Sequence, residues 1–221
     1  MARTPRTRTV ALVSGGLDSL LLVRALLARS RSVWPVYVRC GLAWERAELW
    51  WLRRWLAAIR QVDLRTLAVL DVPLRSVYGR HWSVTARGVP SSSSTDDAVY
   101  LPGRNVLLVG HAAVWGNQRG MRSVALGTLA GNPFGDATPR FFEQFGRCLS
   151  AALSAPMRIE APLRRSSKSR LIARDPRAPF VLTFSCIRPS GRRHCGRCNK
   201  CAERRRAFIE AGVADPTAYA N

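Results

Sequence analysis

The sequence predicts an α/β fold of three layers, a parallel sheet between helices of the nucleotide-binding kind, with a small metal-stapled extension at its C-terminal end. Three observations carry that reading. Apolar runs of strand length alternate with longer helical runs, the pattern of a parallel sheet covered on both faces. The first strand-to-helix junction is Ser14-Gly15-Gly16-Leu17-Asp18-Ser19, a glycine turn of the type that seats phosphate. Four of the six cysteines lie between positions 186 and 201, which in a chain of 221 residues without a secretory leader points to metal rather than disulfides.

The elements follow in order. Val10-Ala11-Leu12-Val13 is a continuous apolar run and reads as a buried strand, within Thr9–Val13. Leu20 to Leu27 is apolar but for Arg24 and extends a helix over Leu17–Arg29. Further strands are expected at Val33–Val38, Leu64–Leu70, Ser123–Leu126 and Phe180–Phe184, and further helices at Ala43–Ile59, Gly103–Asn117 and Pro139–Ala152. In the second helix Trp44, Trp51 and Trp55 share a face, with Trp50 beside it; they read as packing, in the core or at the seam of a homodimer. Gly79–Asp97 breaks the alternation with Pro90, the run Ser91–Ser94 and two aspartates, and reads as a long mobile loop of the kind that covers sites. Past Arg174 the chain turns Arg-, Pro- and Cys-rich. Residues 1–174 are therefore read as the α/β domain and 175–221 as the extension.

The charge is lopsided, with 35 Lys and Arg against 14 Asp and Glu, a net +21. Lys168 and Lys200 are the only lysines. Such a field suits nucleic acid, and equally an anionic nucleotide substrate, which is the favoured reading. No apolar run reaches the length of a membrane span, and Met1–Thr9 has no apolar segment followed by a small-residue cleavage site, so a cytoplasmic protein is expected.

Several residues carry the chemistry. In the glycine turn, backbone N–H groups and the positive end of the following helix dipole favour phosphate. Ser14 and Ser19 add hydroxyl donors, and Asp18 suits a phosphate-bound Mg²⁺. Arg104 and Asn105 follow Pro102-Gly103 into the first turn of a helix, where a cation opposes the dipole and implies an anion nearby. Gly127 to Asp136 follows a strand; its glycines allow a ligand to approach closely, and Asp136 is able to accept hydrogen bonds from a purine-like edge. Lys168, at the start of a short helical run, offers a point charge to phosphate. Cys186 and Cys195-x-x-Cys198-x-x-Cys201 make a closed tetrahedral set of four thiolates, suited to structural Zn²⁺. An iron–sulfur cluster and a redox role are competing readings of the same thiols, and His194 is a neighbour able to ligate.

Taken in order, Ser14–Ser19, Tyr100–Asn105, Lys168, Thr183–Cys186, Cys195–Cys201 and Arg204–Phe208 with Gly212 and Asp215-Pro216 resemble the 7-cyano-7-deazaguanine synthase family of the PP-loop ATP pyrophosphatases. The resemblance runs from about Thr9 to Tyr219. It implies the adenine nucleotide alpha hydrolase-like fold and a queuosine-pathway ligase. In that family ATP activates a 7-deazaguanine carboxylate by adenylation, ammonia displaces AMP, and a second activation of the amide yields the nitrile, and the resemblance implies the same course here. It implies ATP held by Val13, Ser14, Gly15, Gly16, Leu17, Asp18, Ser19 and Leu20 with Arg104 and Asn105, and catalysis by Ser14, Asp18 and Lys168. It places substrate near Gly127 and Asp136, and Zn²⁺ on the four cysteines. The segment Gly127–Asp136 departs from the family, which carries an acidic, tyrosine-rich stretch ending in Asp-Cys-Arg; here Ala137-Thr138 follow Asp136. A related PP-loop enzyme, acting on tRNA or another deazapurine, is the alternative.

Overall fold

The computed structural model describes residues 7–29 and 31–220; the basic residues 1–6 read above lie outside them. Five parallel strands form one sheet: β1 (Arg8–Leu12), β2 (Ser32–Arg39), β3 (Ala68–Asp71), β4 (Ser123–Ala125) and β5 (Arg158–Glu160), in the order β3-β2-β1-β4-β5. The helices are α1 (Leu17–Ala28), α2 (Glu45–Ala58), α3 (Arg75–Tyr78), α4 (Trp82–Thr85), α5 (Arg104–Asn117), α6 (Pro139–Ala152), α7 (Lys168–Arg174) and α8 (Asn199–Ala211).

Alternate residues of each strand feed two cores, as the period of two requires. Val10, Leu12, Val36, Val38 and Val124 face one side, with Val109 and Ala113 of α5 and Phe142 and Leu149 of α6. Ala11, Val13, Val33, Tyr37 and Ala125 face the other, with the leucines of α1, Leu52 and Trp55 of α2, Ile172 of α7 and Phe208 of α8. Helix α5 lies so close to β1 that a Cβ on Gly116 would sit 2.8 Å from Val10 Cγ2. Thr138 caps α6 by accepting from the Phe141 N–H at 3.1 Å, with Pro139 in the first turn.

Three expectations are corrected. Phe180–Phe184 is not a strand: Phe180–Leu182 is a 3₁₀ turn, because Arg204 Nη2 and Thr183 Oγ1 both donate to the Phe180 carbonyl that a neighbouring strand would need. The fifth strand is instead Arg158–Glu160. The third strand is shorter than Leu64–Leu70, with Leu64 joined to Val33 only as an isolated bridge. Gly79–Asp97 is not a loose loop. It holds α4, whose Trp82 stacks on Trp44 at 5.7 Å. Its far end pairs with the cysteine-rich segment through Ser91–Cys198, the Ser92 N–H to the Arg197 carbonyl (2.9 Å) and the Asn199 N–H to the Pro90 carbonyl (3.0 Å).

The tryptophans of α2 pack within the chain. Trp55 and Trp44 are buried, the guanidinium groups of Arg54 and Arg192 each lie 4.6 Å from the Trp50 ring, and Trp51 Nε1 donates to the Arg192 carbonyl at 2.7 Å.

Candidate active site at the sheet's switch point

The strand order reverses between β1 and β4, and a crevice opens at their carboxyl ends, where ligands of such sheets bind. The phosphate-type loop leaves β1 there. Gly15 is required by packing: a Cβ would lie 2.7 Å from the Glu48 carbonyl oxygen. Gly127, leaving β4, is required likewise, with a Cβ 2.8 Å from the Asp18 carbonyl oxygen. At Gly127 a close approach is thus made by the chain itself.

The loop amides are not open, as the glycine turn had suggested. The Ser14 N–H donates to Ser19 Oγ (2.8 Å) and the Gly16 N–H to Ser14 Oγ (3.1 Å). The Gly15 N–H donates to the Glu48 carboxylate. Buried N–H groups need partners, and the hydroxyls supply them. What stays available to an anion is the start of α1, whose capping residue Gly16 offers no side-chain hydrogen bond; a helix leaves its first-turn amides unsatisfied.

Asp18 stands in that first turn. Lys168 Nζ lies 3.3 Å from its Oδ2, while Oδ1 is buried with no partner. Burial pushes the Asp18 carboxyl above its usual range, against the pull of Lys168. An orphaned carboxylate oxygen beside an anion seat fits a divalent cation. Lys168 also pairs with Glu203, whose other oxygen takes Lys200 Nζ at 2.6 Å. Burial opposes ionisation of Glu203, but the two ammonium groups outweigh it and hold the carboxyl at about 2. For Lys168, burial favours the neutral amine, yet Asp18 and Glu203 outweigh it and raise its pKa.

A cavity of about 300 Å³ opens beside the loop. Of the residues expected at the site, Val13, Ser14, Asp18, Ser19, Arg104, Asn105, Gly127 and Asp136 line it. Gly15, Gly16, Leu17, Leu20 and Lys168 do not; Leu17 and Leu20 point their side chains into the core. Arg104 Nε is buried without a partner, and the Arg104 charge is felt by Glu48, whose carboxyl burial nonetheless pushes up. Asp136 is engaged at the start of α5: its Oδ2 accepts from the Asn105 N–H (2.9 Å), and Asn105 Nδ2 donates to the Asp136 carbonyl (3.0 Å). Tyr100 stacks on Phe134 at 4.9 Å, both on the cavity wall.

Glu48, Tyr37, Lys200 and Glu203 were missed. Tyr37 donates its hydroxyl hydrogen to Glu48 Oε2 at 2.8 Å, and Tyr37 and Lys200 line the cavity. One signal was present for Glu48: it shares a helical stripe with Leu52 and Trp55, so an acidic residue falls on a buried face.

The cysteine cluster lies against the same loop. The Phe184 N–H donates to the Gly15 carbonyl at 2.6 Å, two residues before Cys186. The sulfurs of Cys186, Cys195, Cys198 and Cys201 all lie within 4.8 Å of one another, with Cys186–Cys198 at 3.8 Å and Cys198–Cys201 at 3.5 Å. A tetrahedral M–S₄ centre has edges of about 3.8 Å, so the set fits one metal ion with no open position. The N–H groups of Arg188 and Cys195 donate to Cys186 Sγ, each at 3.3 Å. His194 is no ligand here: its Nε2 accepts from the Ser185 N–H at 3.0 Å.

Comparison with known proteins agrees with this architecture. A solved chain described as a "predicted subunit of tRNA methyltransferase" from Methanocaldococcus jannaschii has a TM-score of 0.52 at 12% identity, covering 95% of this chain and 90% of that one; it shares the fold. The 7-cyano-7-deazaguanine synthase of Methanothrix thermoacetophila is 33% identical over 221 residues, covering 96% of this chain and 98% of that protein. The synthase of the same name from Anaeromyxobacter dehalogenans is 32% identical, covering 99% and 98%. A family model described as queuosine biosynthesis protein QueC matches residues 8–212. With its phosphate-type loop, its cavity at the switch point and its four-thiol centre, the chain belongs to the QueC family.

Proposed function

We propose that the protein converts 7-carboxy-7-deazaguanine, ammonia and ATP to 7-cyano-7-deazaguanine. The observation that carries this reading is the uncapped start of α1, with the orphaned Asp18 oxygen beside it, opening into a polar-and-aromatic cavity at the carboxyl ends of β1 and β4. The α1 amides and the Ser14 and Ser19 hydroxyls hold the pyrophosphate end of ATP. The substrate carboxylate then attacks the α-phosphorus, pyrophosphate leaves, and ammonia displaces AMP to give the amide. A second adenylation, on the amide oxygen, followed by loss of that oxygen with AMP and release of protons, gives the nitrile. Ser14 and Asp18 are the proposed catalytic residues, and Lys168 serves them by holding Asp18 Oδ2. Asp18 Oδ1 would hold Mg²⁺, which offsets charge on the leaving pyrophosphate. The four thiols would hold Zn²⁺, which supplies folding energy.

Arg104, with its unpartnered Nε, is the cation proposed for the nucleotide side of the cavity, and Tyr100 with Phe134 the apolar wall for a planar base. Asp136, whose two carboxylate oxygens both accept from Asn105, turns their remaining lone pairs to the deazaguanine edge. The proposal includes a cytoplasmic location, in keeping with six unpaired cysteines. Among the described residues no helix is long and apolar enough to cross a membrane. It also includes a homodimer, which sedimentation at micromolar concentration would reveal.

The test is a reaction of purified protein with ATP, ammonium and the deazaguanine carboxylate, read by mass spectrometry. The nitrile should appear with two AMP per product, one from each activation. ATP turnover that is equal with tRNA alone, without nitrile, overturns the reading.

A further inference from the structure

Among 35 basic residues the chain has two lysines, Lys168 and Lys200, and both ammonium groups converge on one carboxylate, Glu203. Everywhere else this chain answers a need for positive charge with arginine. An ammonium is a compact point charge with three donors, where a guanidinium is a broad planar fork. The two places that keep lysine lie at the entrance to the α1 loop. They differ in aspect. Lys168 is only 16% exposed, sits between Asp18 and Glu203, and does not line the cavity. Lys200 is 30% exposed, uses one donor on Glu203, and does line it, with Ser14, Asp18 and Ser19. Its position is also fixed from behind: Lys200 lies in the first turn of α8, between Cys198 and Cys201, so the thiol cluster sets where its backbone stands.

We propose that Lys200 is the lysine that contacts the polyphosphate of the nucleotide, that Glu203 is its positioning residue, and that Lys168 acts behind them to hold Asp18. This rests on the reading that the start of α1 holds ATP. It gives the metal centre a second consequence besides stability, since the turn that closes on the metal also presents a cation to the leaving group. The local charge is balanced without ligand, with two carboxylates and two ammonium groups, so Lys200 is able to share itself between Glu203 and a phosphate without being stranded unpaired.

The test is calorimetric titration of the metal-loaded protein and its Lys200→Met and Glu203→Gln variants with inorganic pyrophosphate and, separately, with adenosine, alongside metal analysis. Loss of one charge-assisted contact should weaken pyrophosphate binding by about tenfold in Lys200→Met, with adenosine affinity and metal content equal to wild type. Glu203→Gln should weaken pyrophosphate severalfold, again sparing adenosine. Pyrophosphate affinity unchanged in Lys200→Met overturns the proposal, as does parallel loss of adenosine, which marks a structural role only. Wild-type protein that binds adenosine but not pyrophosphate overturns it together with the phosphate-seat reading beneath it.

Discussion

Asp18 faces two demands at once: Lys168 bonds one oxygen while the other is buried with nothing to accept from. A buried acceptor left unsatisfied is costly, and such a cost persists where a site needs a ligand. Asp18→Asn keeps the shape and removes the charge. Its turnover should fall at least a hundredfold, a loss on the order of 3 kcal/mol in the barrier, with a melting temperature close to wild type; retained activity would remove Asp18 from the chemistry. Glu203 gives a pH dependence of definite sign. Its carboxyl is held at about 2 against an ordinary 4.5, so its stabilisation is full above 4.5 and lost as pH falls toward 2. Glu203→Gln should therefore be less stable than wild type at neutral pH, with the gap narrowing steadily in denaturant titrations carried below pH 4.5. A gap independent of pH would mean that the two lysines do not depend on that charge.

At the scale of elements, the tightest fit is where β4 passes the first turn of α1. Gly127→Ala puts a methyl carbon 2.8 Å from the Asp18 carbonyl oxygen, and backbone cannot swing aside as a long side chain does. The expected cost is about 1–3 kcal/mol, with a larger fractional loss of nucleotide affinity than of stability, since Asp18 is displaced directly. The same junctions show what a sequence can and cannot disclose. The strand–loop–helix at Val10–Leu27 was legible because its apolar run, glycine pair and leucine run are local signals. Strand β5, Arg-Ile-Glu at the sheet's edge, carries no apolar run, and only its pairing with β4 makes it a strand. Phe180–Phe184 looked like a strand because its composition is right, but a buried arginine from α8, distant in sequence, takes its carbonyl. Asp136 was read as a candidate and lines the cavity, yet its bond to the start of α5 spans 31 positions and is invisible locally. Lys200 and Glu203 needed the fold as well; the scarcity of lysine was the one trace of them in the sequence.

At the scale of the whole molecule, the C-terminal segment is not an appendage in energetic terms. Cys186, Cys198 and Cys201 lie in one core, Phe180 and Phe208 in the other. Arg204, 1% exposed, ties Phe180, Thr183 and Thr217 together. Residues on both sides of position 174 thus share the same two cores. Chelation of the metal should lower the melting temperature and abolish nucleotide binding in a single step, because the Phe184 N–H, two residues before Cys186, bonds the Gly15 carbonyl of the loop. Cys198→Ser should do the same, with loss of metal seen by mass spectrometry; a soluble, metal-free variant that still binds nucleotide would separate the two.

The pairing of Ser91 and Ser92 with Cys198 and Arg197 makes the segment around Arg87 an indicator of metal occupancy. Arg87 is exposed and a tryptic site, but a protease needs several residues of slack on either side to thread a chain. With the thiols loaded, the serine run is clamped and cleavage at Arg87 should be slow. Stripped of metal, the clamp loosens and the bond becomes the first to be cut. A brief digestion followed by electrophoresis would then report the loaded fraction of a preparation, and restoring the metal should restore the intact band.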